Sequence, residues 1–318
     1  MFSLLFDKTM PIQSVGVIMK RFSASVLLLP VLLLNSVAQD VGTVTVSREA
    51  LRVIRGYAVF QGVEGMKLRQ GDILETAATG NQTQLEFSGG EIVALGPASK
   101  LLLFSPTGGS AELVLLSGWL KGETPVGRTF RYGSPLVTVT TKTNPSPKGN
   151  AVLLHVTGES AEVFVESGAA LVGTVASSKD RIYFSRRAGK PVAAAERPAQ
   201  DFIANMPKSF QVTLPSGLSR YRGKKAPEPR RDHDVSYDEI ERWMTLSPGW
   251  RRGFVGRFKP RLEDRAFRQS IEEHLASLPE WDPILHPERH KTDPAATDPA
   301  KDPAPTTKSD SPSGRYLP

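Results

Sequence analysis

Apolar and polar residues along 71–104 come in three short bursts, each ended by glycine or proline. Thr83, Leu85 and Phe87 fall on one side of the chain and Gln82, Gln84 and Glu86 on the other, the period of two expected of a half-buried strand. Gly89 and Gly90 can supply the positive φ of a hairpin turn. Residues 91–95 are apolar on both faces, as an interior strand is, and Gly96-Pro97 turns the chain into another apolar run at 100–104. The same alternation predicts strands at 41–46, across 50–60 with Gly56 as punctuation, at 170–175 and 181–185, and a last strand at 210–214 (FQVTL).

A repeat reinforces the β pattern. TGGSAELVLLSG at 107–118 and TGESAEVFVESG at 157–168 agree at seven of twelve positions, each reading as turn, alternating strand and turn. In the second copy Ala161, Val163 and Val165 share a face. Stacked units of this kind predict a mainly β fold, a double-wound sandwich or a short β-solenoid, since the turn spacing suits both. The stretches 122–135, 141–150 and 186–198 have the composition of loops, and the β unit is expected to span 40–220.

The period changes after a basic, proline-containing linker at 221–235. A helical module is predicted over 236–285. Ser236 and Glu239 make a capping box ahead of an apolar stripe of Tyr237, Ile240, Trp243 and Met244. Ser247-Pro248 starts a second helix bearing Trp250, Phe254 and Phe258, stopped by Pro260; a third follows Asp264 with Phe267, Ile271, Leu275 and Leu278, ending at Pro279. Helices this short need a surface to pack on, either one another or the β unit. The Asp-Pro and Thr-Pro tail at 286–318 is too poor in apolar groups to fold and is expected to be disordered.

Residues 42–120 resemble the FecR-type domain, a periplasmic β module, through Gly71, Asp72, Ile73, Thr76, Leu85, Phe87, Gly90, Ile92, Leu95, Gly96, Pro97, Ser99, Leu101 and Leu103. Two departures stand out: Gly89-Gly90-Glu91 replaces the usual Asp-Gly-Ser turn, and TNPSPKGN at 143–150 stands where the family has an Arg-Gly-Thr element. The resemblance weakens over 135–185 and does not reach 230–318. It implies a binding or signal-relay module rather than an enzyme. In the regulators that name the family, an N-terminal cytoplasmic portion controls a sigma factor; this sequence shows no such portion, so that regulator is not expected.

Lys20 and Arg21, the apolar stretch at 26–34 and Ser36-Val37-Ala38 predict a cleavable export signal over 19–38, with translation starting at Met19 and residues 1–18 an untranslated extension. The apolar stretch falls short of the roughly 20 residues a bilayer span requires, so no membrane span is expected in the mature chain. The expected location is the periplasm, or secretion beyond it. The chain has no cysteine, which removes disulfides, thiolate metal sites and a cysteine nucleophile. Its net charge of +7 becomes +5 without residues 1–38, with 37 basic against 32 acidic groups, too few and too dispersed to point to nucleic acid.

Catalytic signatures are missing from the sequence: there is no G-x-S-x-G, S-x-x-K or phosphate-cradling glycine loop. Asp72 is expected to satisfy N–H groups in its own turn, with Glu64 and Glu75 nearby in sequence. His286 and His290 are four apart but separated by Pro287, with His274 earlier, and His233 sits between Asp232 and Asp234 in the linker; no metal or other cofactor is expected from them. The strongest candidate patch is basic and aromatic: Trp250, Arg251, Arg252, Arg257, Lys259, Arg261, Arg265 and Arg268, with Phe254, Phe258 and Phe267 interleaved. Guanidinium groups beside aromatics suit an anionic glycan or an acidic protein face, or else rim an aromatic core. The expectation is an exported, non-enzymatic binding or scaffold protein that contacts an envelope protein or glycan. Rival readings are a cell-wall enzyme or its accessory factor, and a structural component that oligomerises through strand edges.

Overall fold

The structure, a computed structural model, describes residues 40–79, 82–104, 112–143, 149–177 and 180–290. The export signal, the first turn of the repeat, part of the 143–150 stretch and the tail beyond 290 lie outside the described residues.

Seventeen strands come first: β1 (Asp40–Ser47), β2 (Leu51–Arg55), β3 (Ala58–Gly62), β4 (Lys67–Arg69), β5 (Ile73–Thr76), β6 (Thr83–Phe87), β7 (Ile92–Leu95), β8 (Lys100–Phe104), β9 (Glu112–Thr124), β10 (Arg131–Gly133), β11 (Thr138–Thr141), β12 (Asn150–Val156), β13 (Ser160–Ser167), β14 (Ala170–Val172), β15 (Val175–Ser177), β16 (Ile182–Arg187) and β17 (Ala193–Ala195). They form a large, curled sheet in two layers. The first layer runs β4-β1-β6-β7-β9-β12-β13-β16-β17 and is antiparallel throughout. The second runs β3-β2-β5-β8-β9-β10-β11-β14-β15, with β9–β10 parallel. Antiparallel winding of this kind is a double-wound sandwich; a solenoid would stack its rungs in parallel.

The strand β9 belongs to both layers. Its first half pairs with β8 and its second half with β7 and β12. The crossing is at Gly118, whose φ of +92° suits glycine alone; a Cβ there would lie 2.5 Å from the Cα of Ser99.

Strands that are apolar on both faces are explained by what covers them. Val93 and Leu95 of β7, Leu101 and Leu103 of β8, and Leu113 and Leu115 of β9 point between the layers, where they meet Ala161, Val163 and Val165 of β13. The opposite faces are not open to water. Ala94, Trp119, Leu153 and Tyr183, on the outer face of the first layer, lie under a strap containing Phe202, Phe210 and Leu214. Ile54, Val59, Ile73, Leu102, Val114 and Leu116, outside the second layer, lie under the C-terminal helices. The strap consists of α1 (Gln200–Asn205) and 3-10 turns at Lys208–Gln211 and Leu218–Tyr221.

The helical module follows β18 (Arg230–Asp234) and comprises α2 (Tyr237–Met244), α3 (Pro248–Arg251), α4 (Phe254–Phe258), α5 (Arg265–Glu273) and α6 (Asp282–Leu285). The predicted capping box is present, with the Ser236 N–H donating to Glu239 Oε2 at 2.7 Å. Asp264 caps α5 by accepting from the N–H groups of Ala266 and Phe267. Phe258, Trp243 and Trp281 are fully buried against the sheet or one another, each worth roughly 1.5–3 kcal/mol relative to exposure.

Several sequence expectations are corrected. Residues 210–214 form no strand: a 3-10 turn ends at Gln211, and Phe210 and Leu214 plug the outer face while Val212 is exposed. The linker at 221–235 contains β18, which pairs with β3; the alternation signal is missing because Arg230–Asp234 has no apolar residue. The loops at 122–135, 141–150 and 186–198 contain the ends of β9 and β16, the last residue of β11, the first of β12, and the three-residue strands β10 and β17, which are too short for a period to show. The second predicted helix is split in two around Gly253, and Pro260 sits inside a 3-10 turn at Lys259–Glu263. The third ends at Glu273, and Leu275 belongs to a 3-10 turn.

Candidate functional site

The residues that carry the FecR-type resemblance make a structural lattice around the β9 crossing. Gly71 and Gly90 turn the chain at φ of +82° and +87°. Asp72 accepts from the Arg69 N–H at 2.8 Å, as expected of its turn, and also holds Arg55 at 2.6 Å. Leu85 and Phe87 enter the core. The Thr76 hydroxyl donates to the Gly96 carbonyl at 2.7 Å and accepts from the Ser99 N–H at 2.9 Å. Ser99 in turn reaches Trp119 on β9. Between Pro97 and Ser99, Ala98 takes a left-handed φ of +51°, a conformation uncommon outside glycine.

That turn forms one wall of a groove of about 680 Å³. The other walls are the strap, through Asn205 and Pro207, and the helical module, through Arg242 of α2. Trp119 and His155 are cross-strand partners on β9 and β12, and their rings stack at 4.0 Å within 12°. Phe202 of the strap lies against Trp119 at 5.1 Å.

His155 is held from behind. Its Nδ1 lies 2.9 Å from Glu162 Oε2, and the Tyr183 hydroxyl donates to the other oxygen of the same carboxylate. The His155 bond, with that of Tyr183, holds the Glu162 carboxyl below its usual range against the opposing effect of burial. Glu162 is therefore ionised and Nδ1–H is the donor, which leaves Nε2 as a lone-pair acceptor. The acid lining the groove, Glu75, is already engaged: by Arg52 at 2.9 Å, Lys100 at 3.2 Å and the Trp243 indole at 3.4 Å. Arg242 is exposed and has no side-chain partner among the described residues.

A second, larger concavity of about 800 Å³ lies under α1, floored by Leu153, Phe164, Phe202 and Phe210. Two of its five charged residues are committed, Glu166 to Lys121 at 2.8 Å and Asp180 to the Gly168 N–H at 2.7 Å, while Arg181, Glu196 and Arg197 put both signs on its rim.

The basic-aromatic patch divides into ties and surface. Arg257 donates to the carbonyls of Ile54, Gly56 and Gly71 at 2.6–2.7 Å and lies over the Phe258 ring at 4.9 Å, which pins α4 to the sheet. Arg251 is buried, donating to the Met244 carbonyl and pairing with Glu280 at 2.8 Å. Arg261 donates to the Val235 carbonyl at 2.8 Å and pairs with Asp264. Trp250 is half-buried against the same core. These residues join elements and are not free to meet a partner as a set. Arg252, Lys259 and Arg265 remain exposed, as does Arg268 beside Glu272.

The histidines behave as local partners. His233 Nε2 lies 2.9 Å from Glu239, His290 Nε2 lies 2.6 Å from Asp282, and His286 stands beside Glu288. Among the described residues no cluster of three or more His, Asp or Glu is placed to hold a metal, and no helix is long and apolar enough to cross a membrane.

No protein-family model and no curated protein matches the chain. Two crystal structures, at 2.50 and 1.65 Å, of a Parabacteroides distasonis ATCC 8503 protein provisionally assigned as an anti-sigma factor are similar to it, with 12% and 13% identity and TM-scores of 0.34 and 0.33. Each match covers 42% of this chain and 62% or 63% of that one, less than two thirds of the relative's length. A likeness of that degree decides neither the family of this chain nor its activity.

Sequence reasoning missed Trp119, His155, Arg242 and Lys121. One signal for Lys121 was present: a lone lysine in a stretch, LVLLSGWLKG, that is apolar on both faces. Nothing in the sequence paired Trp119 with His155, 36 positions on.

Proposed function

We propose that the chain is an exported, non-enzymatic binding or scaffold module with a FecR-like β unit, acting in the periplasm on an envelope protein or an anionic glycan. The observation that carries this reading is where five of its charged side chains go. Glu86 and Lys121 hold the strap, Arg251 and Arg257 hold the helical module, and Asp72 holds its own turn and β2. A reaction centre needs a nucleophile, acid or base kept available at a substrate site. Each of these five is closed on a structural partner, and the described partners of His155 are a carboxylate and a stacked indole, with no hydroxyl bonded to its ring.

The test is crosslinking in living cells followed by affinity capture. The full chain is compared with a variant in which Arg252, Lys259, Arg265 and Arg268 are each changed to glutamate. Recovery of one stoichiometric envelope protein, lost in the variant, supports the reading and places contact on the helical module. Hydrolysis of purified sacculi by the chain overturns it in favour of a cell-wall enzyme. Truncation at residue 220 is unsuitable, because it would strip the cover from Ile54, Val59, Ile73, Leu102, Val114 and Leu116.

A further inference from the structure

We propose that the groove beside the β9 crossing binds the carboxylate of a short peptide. The inference rests on the binding-module reading and adds the ligand's chemistry. Three parts of the fold meet at this groove, the kind of junction where ligand sites concentrate. Its wall at Ala98 is held in a left-handed conformation, and the hydroxyls of Thr76 and Ser99 lock that turn in place.

The polar groups left over favour an anion. Arg242 has no described partner, whereas His155, its Nδ1–H donated to Glu162, has only an acceptor left at Nε2 and supplies no donor. Asn205 lines the same groove. Lys100 adds positive charge, which it shares with Glu75. Glu75 accepts from three donors already and so offers little to a cation. An unpaired guanidinium fork with a second cation lining the same groove suits a planar carboxylate, the group by which chain ends and acidic side chains are captured.

A sugar fits less well. Sugar rings are held on open aromatic faces, whereas Trp119 is only 7% exposed, with His155 stacked on its ring and Phe202 against it. Pro97, Ala98, Val156 and Pro207 give the remaining wall an apolar character that suits small peptide side chains.

The experiment titrates the purified full chain with four probes: acetyl-trialanine as the free acid, the same peptide as its amide, acetyl-Ala-Glu-Ala amide, and glucuronic acid. Binding is read from amide shifts of Ala98 and Gly118 and from the Trp119 indole signal. The expected result is that at least one carboxylate peptide binds more tightly than the neutral amide. Free acid over glutamyl peptide assigns a chain terminus, and the reverse assigns a side chain. Arg242→Gln, at an exposed site, is expected to weaken binding by about tenfold while leaving the thermal midpoint unchanged.

Equal binding of acid and amide, tighter binding of glucuronic acid, or no effect of Arg242→Gln overturns the inference. Such a failure is separable from failure of the binding-module reading. A chain that captures its partner through the helical module but ignores all four probes keeps the broader function and loses this site.

Discussion

The Ser99 hydroxyl sits between the two backbone groups of Trp119, accepting from its N–H at 2.9 Å and donating to its carbonyl at 2.9 Å. One residue earlier, Gly118 carries β9 from one layer into the other. Ser99→Ala leaves a buried N–H without its acceptor, at an expected cost of roughly 1–3 kcal/mol. Gly118→Ala should cost more, since it adds backbone strain at positive φ to a 2.5 Å approach to Ser99 Cα. Urea unfolding checks both; equal stability of Ser99→Ala and the native chain would remove the hydroxyl from this role.

Acid should loosen the strap. Burial raises the Glu86 carboxyl, but the N–H groups of Gly217 and Leu218 and the hydroxyls of Ser216 and Thr45 together hold it below its ordinary range. A carboxylate depressed in the folded state contributes stability that is fully present above the ordinary glutamate value of about 4.3 and is lost as pH falls through the lower folded value. Glu123, which accepts the Leu214 N–H, is raised by burial and works in the opposite direction. The comparison is therefore between the native chain and Glu86→Gln. Stability of the native chain should fall below about pH 4, read by Trp fluorescence, and the variant should lose that part of the acid dependence.

Lys121 is 1% exposed and donates to the carbonyls of Phe210 and Val212 while pairing with Glu166 at 2.8 Å. Lys121→Met leaves those acceptors and Glu123 without their cation, a loss on the order of 3 kcal/mol. The strap should open before the sandwich does. Limited trypsin digestion checks this: cleavage after Arg220 and Arg222 is expected to accelerate in the variant ahead of any loss of sheet signal.

Two arginines in the same basic stretch should behave differently. Desolvation pushes the Arg257 guanidinium down to about 10, so it is still charged at neutral pH while donating to three carbonyls. Arg257→Met should cost about 3 kcal/mol, the scale of charge-assisted hydrogen bonds lost at a packed site. Arg252→Glu, on the surface, should change stability by no more than roughly 0.5 kcal/mol. Similar midpoints for the two variants in thermal melts would contradict the division of this patch into ties and surface.

Edge pairing between copies is not expected. The outermost strands of the two layers are β4, β15 and β17, of three residues each, and β18, whose sequence RRDHD is charged or polar throughout. Pro191 and Pro198 flank β17. Short, charged or proline-bounded edges resist joining another sheet. Sedimentation should give a mass independent of protein concentration; a rising mass would favour the oligomerising reading.

Much of the β unit was legible in the sequence because it rests on local signals. The turns at Gly71, Gly90 and Gly96 and the repeat strand with Ala161, Val163 and Val165 on one face appear in the structure as read, whereas the strand at 83–87, read as half-buried, is buried on both faces because the strap covers Gln84 and Glu86. The helix caps at Ser236 and Asp264 also appear as read, since a cap is a relation between residues three apart. Strands β10, β17 and β18 were not legible, because three residues, or a wholly polar five, carry no period. The misreading of 210–214 has a different cause. Its alternation is real, but it seats Phe210 and Leu214 on another layer instead of joining a sheet.

The groove was decided only by the tertiary structure. By itself, the sequence determined which stretches alternate, where the chain turns and which helices cap, since these depend on neighbours a few positions apart. Thr76, Ala98, Trp119, His155, Asn205 and Arg242 come together only because β9 changes layers, the strap folds back over the first layer and α2 packs on the second. The division of the arginines was decided in the same way. Arg257 and Arg252 have the same chemistry and similar neighbours in sequence, and they differ only in which carbonyls lie within reach once distant strands are packed beneath them.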